Sequence, residues 1–437
     1  MLYAAALALL ALEFGGLIVQ RNWSREPFVL LALSQGAVYA GALVALGQGR
    51  CDRVSLTFIL LTAAVLRVGP LFGPVIWSSD IYRYVWDGWV QASGMNPYCC
   101  MPADPVLGSL RDEAVYPFIN RRDSARTIYP PFAQMVFAAQ AWLGGSVLSM
   151  KMWLLVFEAV GIWAMLRILE RLGRSRRLIL IYAWHPLPIW EIAGSGHIDA
   201  VLVAAIPLAV LASIAGRQAL SGIALGAAVL TKFIPLVLLP ALWRRPHWRM
   251  PLALLLFIVG CYLPYLGVGR AVLGYLPGYL EEEHLGPGLG GGFWLVDTLD
   301  RVFGLSLPAL AYLALCAIVL LAMAAAALIR AADGLSSARW AMVIGLSTVM
   351  LFSPHYAWYF VWPIALLTIS PWAPGLWPTL VAFLLYWDPD GGRVPMWVGA
   401  AIYGGFGVVV LLAVLRRRFN PGEGDRTHRQ NQPASRA

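Results

Sequence analysis

The strongest chemical signal in the sequence is the run Asp80-Ile81-Tyr82-Arg83-Tyr84-Val85-Trp86-Asp87, with Asn96, Pro97 and Tyr98 soon after it. On a helix, Asp80, Tyr84 and Asp87 stand at i, i+4 and i+7 and share a face. Two acids, an Arg and four large aromatics fall within ten residues. Carboxylates that take protons or accept hydroxyl hydrogen bonds, set beside rings that stack, are what a sugar site requires. The plainer reading is an aromatic belt with solvated acids at a membrane interface.

Group transfer at such a site also needs cations or donors for a departing anion. Lys232 lies inside the apolar stretch 219–243, where a charge is costly and points to function unless the side chain snorkels to an interface. His355, beside Tyr356 and Trp358, can donate to a phosphate or a sugar hydroxyl, or be a structural hydrogen-bonded ring. Arg83 and Arg270 are further cations, with solvated loop positions as the alternative. His197 and Asp199 have the spacing of two metal ligands, but two ligands do not make a site, and Asp199 also reads as a helix cap. No metal or cofactor is therefore expected, although a divalent ion would be compatible. The acidic run Glu281-Glu282-Glu283-His284 reads as a solvated loop, and the glycines of 286–292 lack the Lys-Ser/Thr ending of a nucleotide cradle. Cys51, Cys261 and Cys316 are scattered, and the adjacent Cys99 and Cys100 are expected to be unpaired.

The elements that must position these groups are set by hydropathy. Apolar residues make up 60% of the chain against roughly 45–50% in soluble domains. Only 13% of residues are charged, and the mean hydropathy is +0.70. The apolar residues fall in blocks near the ~20 residues that cross a bilayer core. Candidate segments are 1–20, 28–47, 54–77, 131–145, 150–170, 178–193, 200–216, 219–243, 251–267, 308–330, 339–353, 357–371, 376–387 and 396–415. Segment 1–20 contains Glu13 and lacks a basic start, so it reads as a retained helix instead of a signal peptide. The expected fold is all-α, a polytopic transmembrane helical bundle.

Net charge of +9 does not point to nucleic acid, because the basic residues sit in short joints between apolar blocks. Arg171, Arg174, Arg176 and Arg177 form one cluster, Arg244, Arg245 and Arg249 a second, and Arg416, Arg417 and Arg418 a third. The positive-inside rule makes these joints cytoplasmic. All three share one side only if two segments enter and return. The choice falls on 219–243, interrupted by Lys232 and Pro235, and 131–145, bounded by Pro130-Pro131 and Gly144-Gly145. About twelve crossings remain, with loops 78–130 and 269–307 and the turns near His197 and His355 on the outer face. The membrane domain is expected to span 1–418, and the polar 419–437 to be a disordered cytoplasmic tail.

Taken in order, Asp80 to Gly88, Asn96-Pro97-Tyr98, Thr127-Ile128-Tyr129-Pro130-Pro131, Gly194-Ser195-Gly196-His197-Ile198-Asp199, Leu230-Thr231-Lys232-Phe233-Ile234-Pro235 and Ser353-Pro354-His355-Tyr356-Ala357-Trp358-Tyr359 resemble bacterial membrane glycosyltransferases of the GT-C superfamily. The branch they most resemble is the polyprenol-phosphate-mannose-dependent mannosyltransferases of the glycosyltransferase 87 type. The resemblance covers roughly residues 54–371 and implies an acidic catalytic base in the first large external loop, where Asp80 matches. The helices 1–20 and 28–47, which precede that loop, depart from the simplest GT-C layout.

The expectation is an inverting hexosyltransferase of a bacterial inner membrane working on the outer face, with mannose the sugar that the resemblance implies and other hexoses or pentoses left open by the residues. Its partners would be a polyprenyl-phosphate sugar donor, a lipid or glycan acceptor and the membrane lipids, with no nucleic acid. Asp80 is the candidate base and Asp87 the reserve, which could instead orient the acceptor or hold Arg83. Tyr82, Arg83, Tyr84, Trp86, Asn96, Tyr98, Tyr129, His197, Asp199, Lys232, His355, Tyr356 and Trp358 are the substrate-binding candidates. The rival is a transporter or lipid flippase, which would give Glu13, Glu158 and Lys232 a role inside the spans. No nucleophile elbow and no HExxH occurs in the sequence to support another enzyme class.

Overall fold

A computed structural model describes residues 1–21, 25–48, 54–244, 246–276, 278, 292–387 and 395–419. These residues are helical or irregular, and no strand occurs among them. The bundle begins with α1 (Leu2–Arg21), α2 (Arg25–Gly47) and α3 (Leu56–Phe72), followed by a short α4 (Asp80–Ala92) and α5 (Pro131–Trp142). Then come α6 (Val147–Arg171), α7 (Asp199–Ile214), α8 (Gln218–Val229) and α9 (Arg249–Tyr262). The last part holds α10 (Trp294–Phe303), α11 (Ala309–Arg330), α12 (Gly334–Phe352), α13 (Val361–Ile369), α14 (Ala373–Val381) and α15 (Gly405–Phe419), with shorter turns between them. Seven helices among the described residues are long and apolar enough to cross a membrane, and five shorter apolar ones accompany them. The expected acidic run Glu281 to His284, Arg245 and residues 420–437 lie outside the described residues.

Local chemistry fixes the boundaries. Ser55 caps α3 by accepting from the Phe58 amide, and reciprocal capping boxes, Ser146 with Ser149 and Asp333 with Ser336, open α6 and α12. Pro131 opens α5, where its missing N–H costs nothing. Gly161 lets α6 lie directly on the Val203 carbonyl of α7, and Gly222 does the same for α8 against Met250, the small-residue contacts typical of membrane helices.

Three expectations need correction. The segment 54–77 stops being helical at Phe72, because Gly73 and the turn through Trp77 leave the helix. The segment 178–193 is not one span but a chain of short turns, ending in a π-helical turn at Ile189–Gly194. Its freed carbonyls are satisfied from other helices: Tyr39 donates to Ile181, and Arg67 to Ala183. Cys99 and Cys100 are joined as a disulfide instead of remaining free.

The segment 219–243 does turn back. Arg244 donates its amide to the Gln218 side chain, and Ser213 bonds to the Leu242 carbonyl, so the end of this segment lies beside its beginning. The α4 and α5 helices, 13 and 12 residues long, reach about 20 Å at 1.5 Å per residue, short of a ~30 Å core. They pair side by side through Gln91 and Gln134, and α5 starts against the Leu230 carbonyl at the end of α8. Glu158 is held in the core by a two-pronged bond from Arg67, both contacts 2.7 Å, and by the Tyr182 hydroxyl. That pairing gives Glu158 a structural role, and it weakens the reading of a transported ion there.

Candidate active site

Asp80 is the first residue of α4, where its charge complements the helix dipole. Ser78 accepts its amide at 3.3 Å. One carboxylate oxygen accepts from the Asn120 amide at 2.9 Å, and the Tyr129 hydroxyl bonds to the same carboxylate and to Tyr84. Burial pushes the Tyr129 phenol well above its ordinary range, so it stays a donor. A carboxylate has about four lone-pair sites, and two donors leave others open. Asp87, two turns down the same helix, is buried, with a partner on each oxygen: one accepts from Arg83 at 2.9 Å and the other from Gln134 at 2.8 Å. Of the alternatives left open for Asp87, holding Arg83 is the one the geometry shows.

The opposite wall comes from the broken helix and two turns. Lys232 lies just past α8, with its ammonium 2.7 Å from Asp199 and 4.6 Å from the Tyr359 ring centre. Asp199 therefore does not cap α7 by its side chain, and Lys232 is not snorkelling to water. His197 packs in the layer behind: its Nδ1 is 2.9 Å from Glu191, which also accepts from Tyr386 at 2.7 Å. The imidazole stacks on Trp358 at 4.2 Å, and Trp358 on Tyr356 at 4.5 Å, which makes a three-ring platform. His355 follows α12, whose C-cap Ser353 has φ 41°. Among the described residues, His197 and Asp199 belong to no cluster of three or more metal-binding side chains.

These walls enclose a cavity of about 750 Å³. It brings together Asp80, Arg83, Tyr129, Lys232, His355, Tyr356 and Trp358 from distant parts of the chain. Its far side is apolar, with Phe233, Ile234, Leu276, Phe293, Val349 and Phe352. The other candidates do not line it. Tyr82 stacks on Phe118 and Trp86 packs on Tyr116, while Tyr84 is buried between Tyr129 and Phe137. Asn96 donates to the Tyr265 carbonyl, Tyr98 to the Tyr129 carbonyl, and Arg270 stands elsewhere. Sequence reasoning missed Asn120, Arg121, Arg126, Glu191 and Tyr386. One backbone signal picks out the same place: Trp77, Arg121 and Ser353 are the non-glycine residues with left-handed φ among those described, and all three line this cavity. Strained backbone of this kind concentrates at functional sites.

A membrane-embedded helical bundle, with a carboxylate, cations and stacked rings around one cavity beside an apolar wall, has the parts of a membrane transferase. The chain belongs to glycosyltransferase family 87, which it matches over residues 127–354, just over half of its 437 residues. That stretch holds Tyr129, Asp199 and Lys232, stops just before His355 and does not reach Asp80. No curated protein and no solved structure matches the chain.

Proposed function

We propose that this glycosyltransferase moves a hexose, with mannose the sugar its motif set favours, from a polyprenyl-phosphate carrier to an acceptor hydroxyl, with inversion. The observation that carries the reading is the pairing, in one cavity, of a half-buried Asp80 with several cations and an apolar flank. A lipid phosphate needs both of the latter, and a soluble nucleotide sugar would need no apolar flank. Asp80 takes the acceptor proton as the acceptor oxygen bonds to the anomeric carbon. The bond from that carbon to the phosphate oxygen breaks, and its electron pair leaves with the polyprenyl phosphate. Asp80 then returns its proton to water. Charge developing on the phosphate is stabilised by the cationic side of the cavity.

The placement of the basic joints supports an outward-facing cavity. Arg177 bonds the Val54 carbonyl at the start of α3, and Arg174 the Ile369 carbonyl at the end of α13. The other end of α3 leads to Asp80, so these arginines stand at the end of the bundle away from the cavity. The positive-inside rule assigns their end to the cytoplasm. The direct test is incubation of the purified full chain with a short-chain polyprenyl-phosphate mannose and membrane-extracted acceptors. Release of polyprenyl phosphate is expected, and its absence with every lipid-phosphate sugar tried would overturn the donor assignment.

A further inference from the structure

We infer that Arg126 is the ligand that grips the donor phosphate, an assignment that rests on the lipid-phosphate reading above. The donor is a phosphodiester with one negative charge, and loss of the sugar leaves a monoester with a second. The site therefore needs a cation whose own charge is not already balanced. Arg83 is spent on buried Asp87 at 2.9 Å and on the Ala125 carbonyl at 3.2 Å. Lys232 is paired at 2.7 Å with Asp199, which is 0% exposed, so pulling it onto a phosphate would strand a buried carboxylate. The Arg126 guanidinium, by contrast, lines the cavity and has no hydrogen bond, ion pair or ring contact among the described residues.

The chain around Arg126 is held although its side chain is not. Asn120 and Tyr129, on either side of it, both bond to Asp80. Thr127 accepts at its hydroxyl from Gln134 at 2.8 Å, and its carbonyl accepts the Tyr275 amide at 3.0 Å. The backbone that carries Arg126 therefore stands in a fixed relation to Asp80, and its unheld side chain is free to reach a phosphate on the cavity side of the base. A planar fork meets two phosphate oxygens with two parallel N–H donors, a geometry that the point charge of a lysine does not offer.

Binding of short-chain polyprenyl phosphate and of the uncharged polyprenol is measured on the full chain for wild type, Arg126→Ala and Arg126→Lys, together with turnover. Arg126→Ala should lose about ten- to a hundred-fold in affinity for the phosphate and leave polyprenol binding and melting temperature unchanged. Arg126→Lys should recover part of the loss. Equal phosphate affinity in wild type and Arg126→Ala overturns the assignment while leaving the donor reading intact. If wild type itself neither binds nor releases polyprenyl phosphate, the donor reading has failed and this inference with it. A loss of polyprenol binding equal to the loss of phosphate binding would also overturn it, since that is the mark of a distorted cavity.

Discussion

Two carboxylates seven residues apart on one helix have opposite circumstances, and variants should separate them. Asp80→Asn keeps shape and hydrogen-bonding reach but cannot take a proton, so turnover should fall about 10²–10⁴-fold with donor affinity kept. Asp87→Asn should act on stability instead, because it leaves Arg83 buried without its charge partner; such losses run to about 3–5 kcal/mol, seen as a lower melting temperature. Near-normal turnover in Asp80→Asn would move the base elsewhere. Lys232→Ala leaves Asp199 alone and should destabilise by about 2–5 kcal/mol, and Lys232→Ala with Asp199→Ala should regain most of it. Equal melting temperatures for wild type and Lys232→Ala would show the pair to be inert. The sequence brought Asp80 and Asp87 forward together because their spacing puts them on one face. Arg83, four residues before Asp87, marked one partner of Asp87 in the local spacing, but the second, Gln134 on another helix, left no trace there. Arg126 and Asn120 escaped for a related reason, since an irregular loop has no period to mark its functional positions.

At the scale of elements, the apolar blocks placed nearly every helix, and Lys232 with Pro235 marked the break after α8. The break between Ile179 and Gly194 was signalled by Pro186 and Pro188 but hidden by the apolar residues around them, and its carbonyls are satisfied by Tyr39 and Arg67, far away in sequence. This broken stretch runs into the turn that delivers Asp199 to Lys232, and Gly196 is its tightest point. Gly196 has φ +73°, and a Cβ there would strike Ile81 on α4. Gly196→Ala should therefore cost more than about 1 kcal/mol, chiefly from a φ that alanine disfavours, and reduce turnover by disturbing the turn that holds Asp199. Unchanged melting and activity would show that the turn has room to relax.

For the whole molecule, the prediction is one of sidedness. In a background without other reactive thiols, Asp123→Cys should be labelled by an impermeant reagent from outside, and Arg176→Cys only after the membrane is opened. Outside labelling of position 176 would invert the proposed topology. The returning hairpin that carries Lys232 also bears on how the chain is made. A segment with a charge at its middle is a poor substrate for insertion into a bilayer, and this one cannot count on leaving its lysine on the far side. Asp199 lies 33 residues earlier in the chain and so leaves the ribosome first. With Asp199 already made, the hairpin would meet its counter-charge as it enters, so the Asp199–Lys232 contact bears on insertion of the chain as well as on the finished wall.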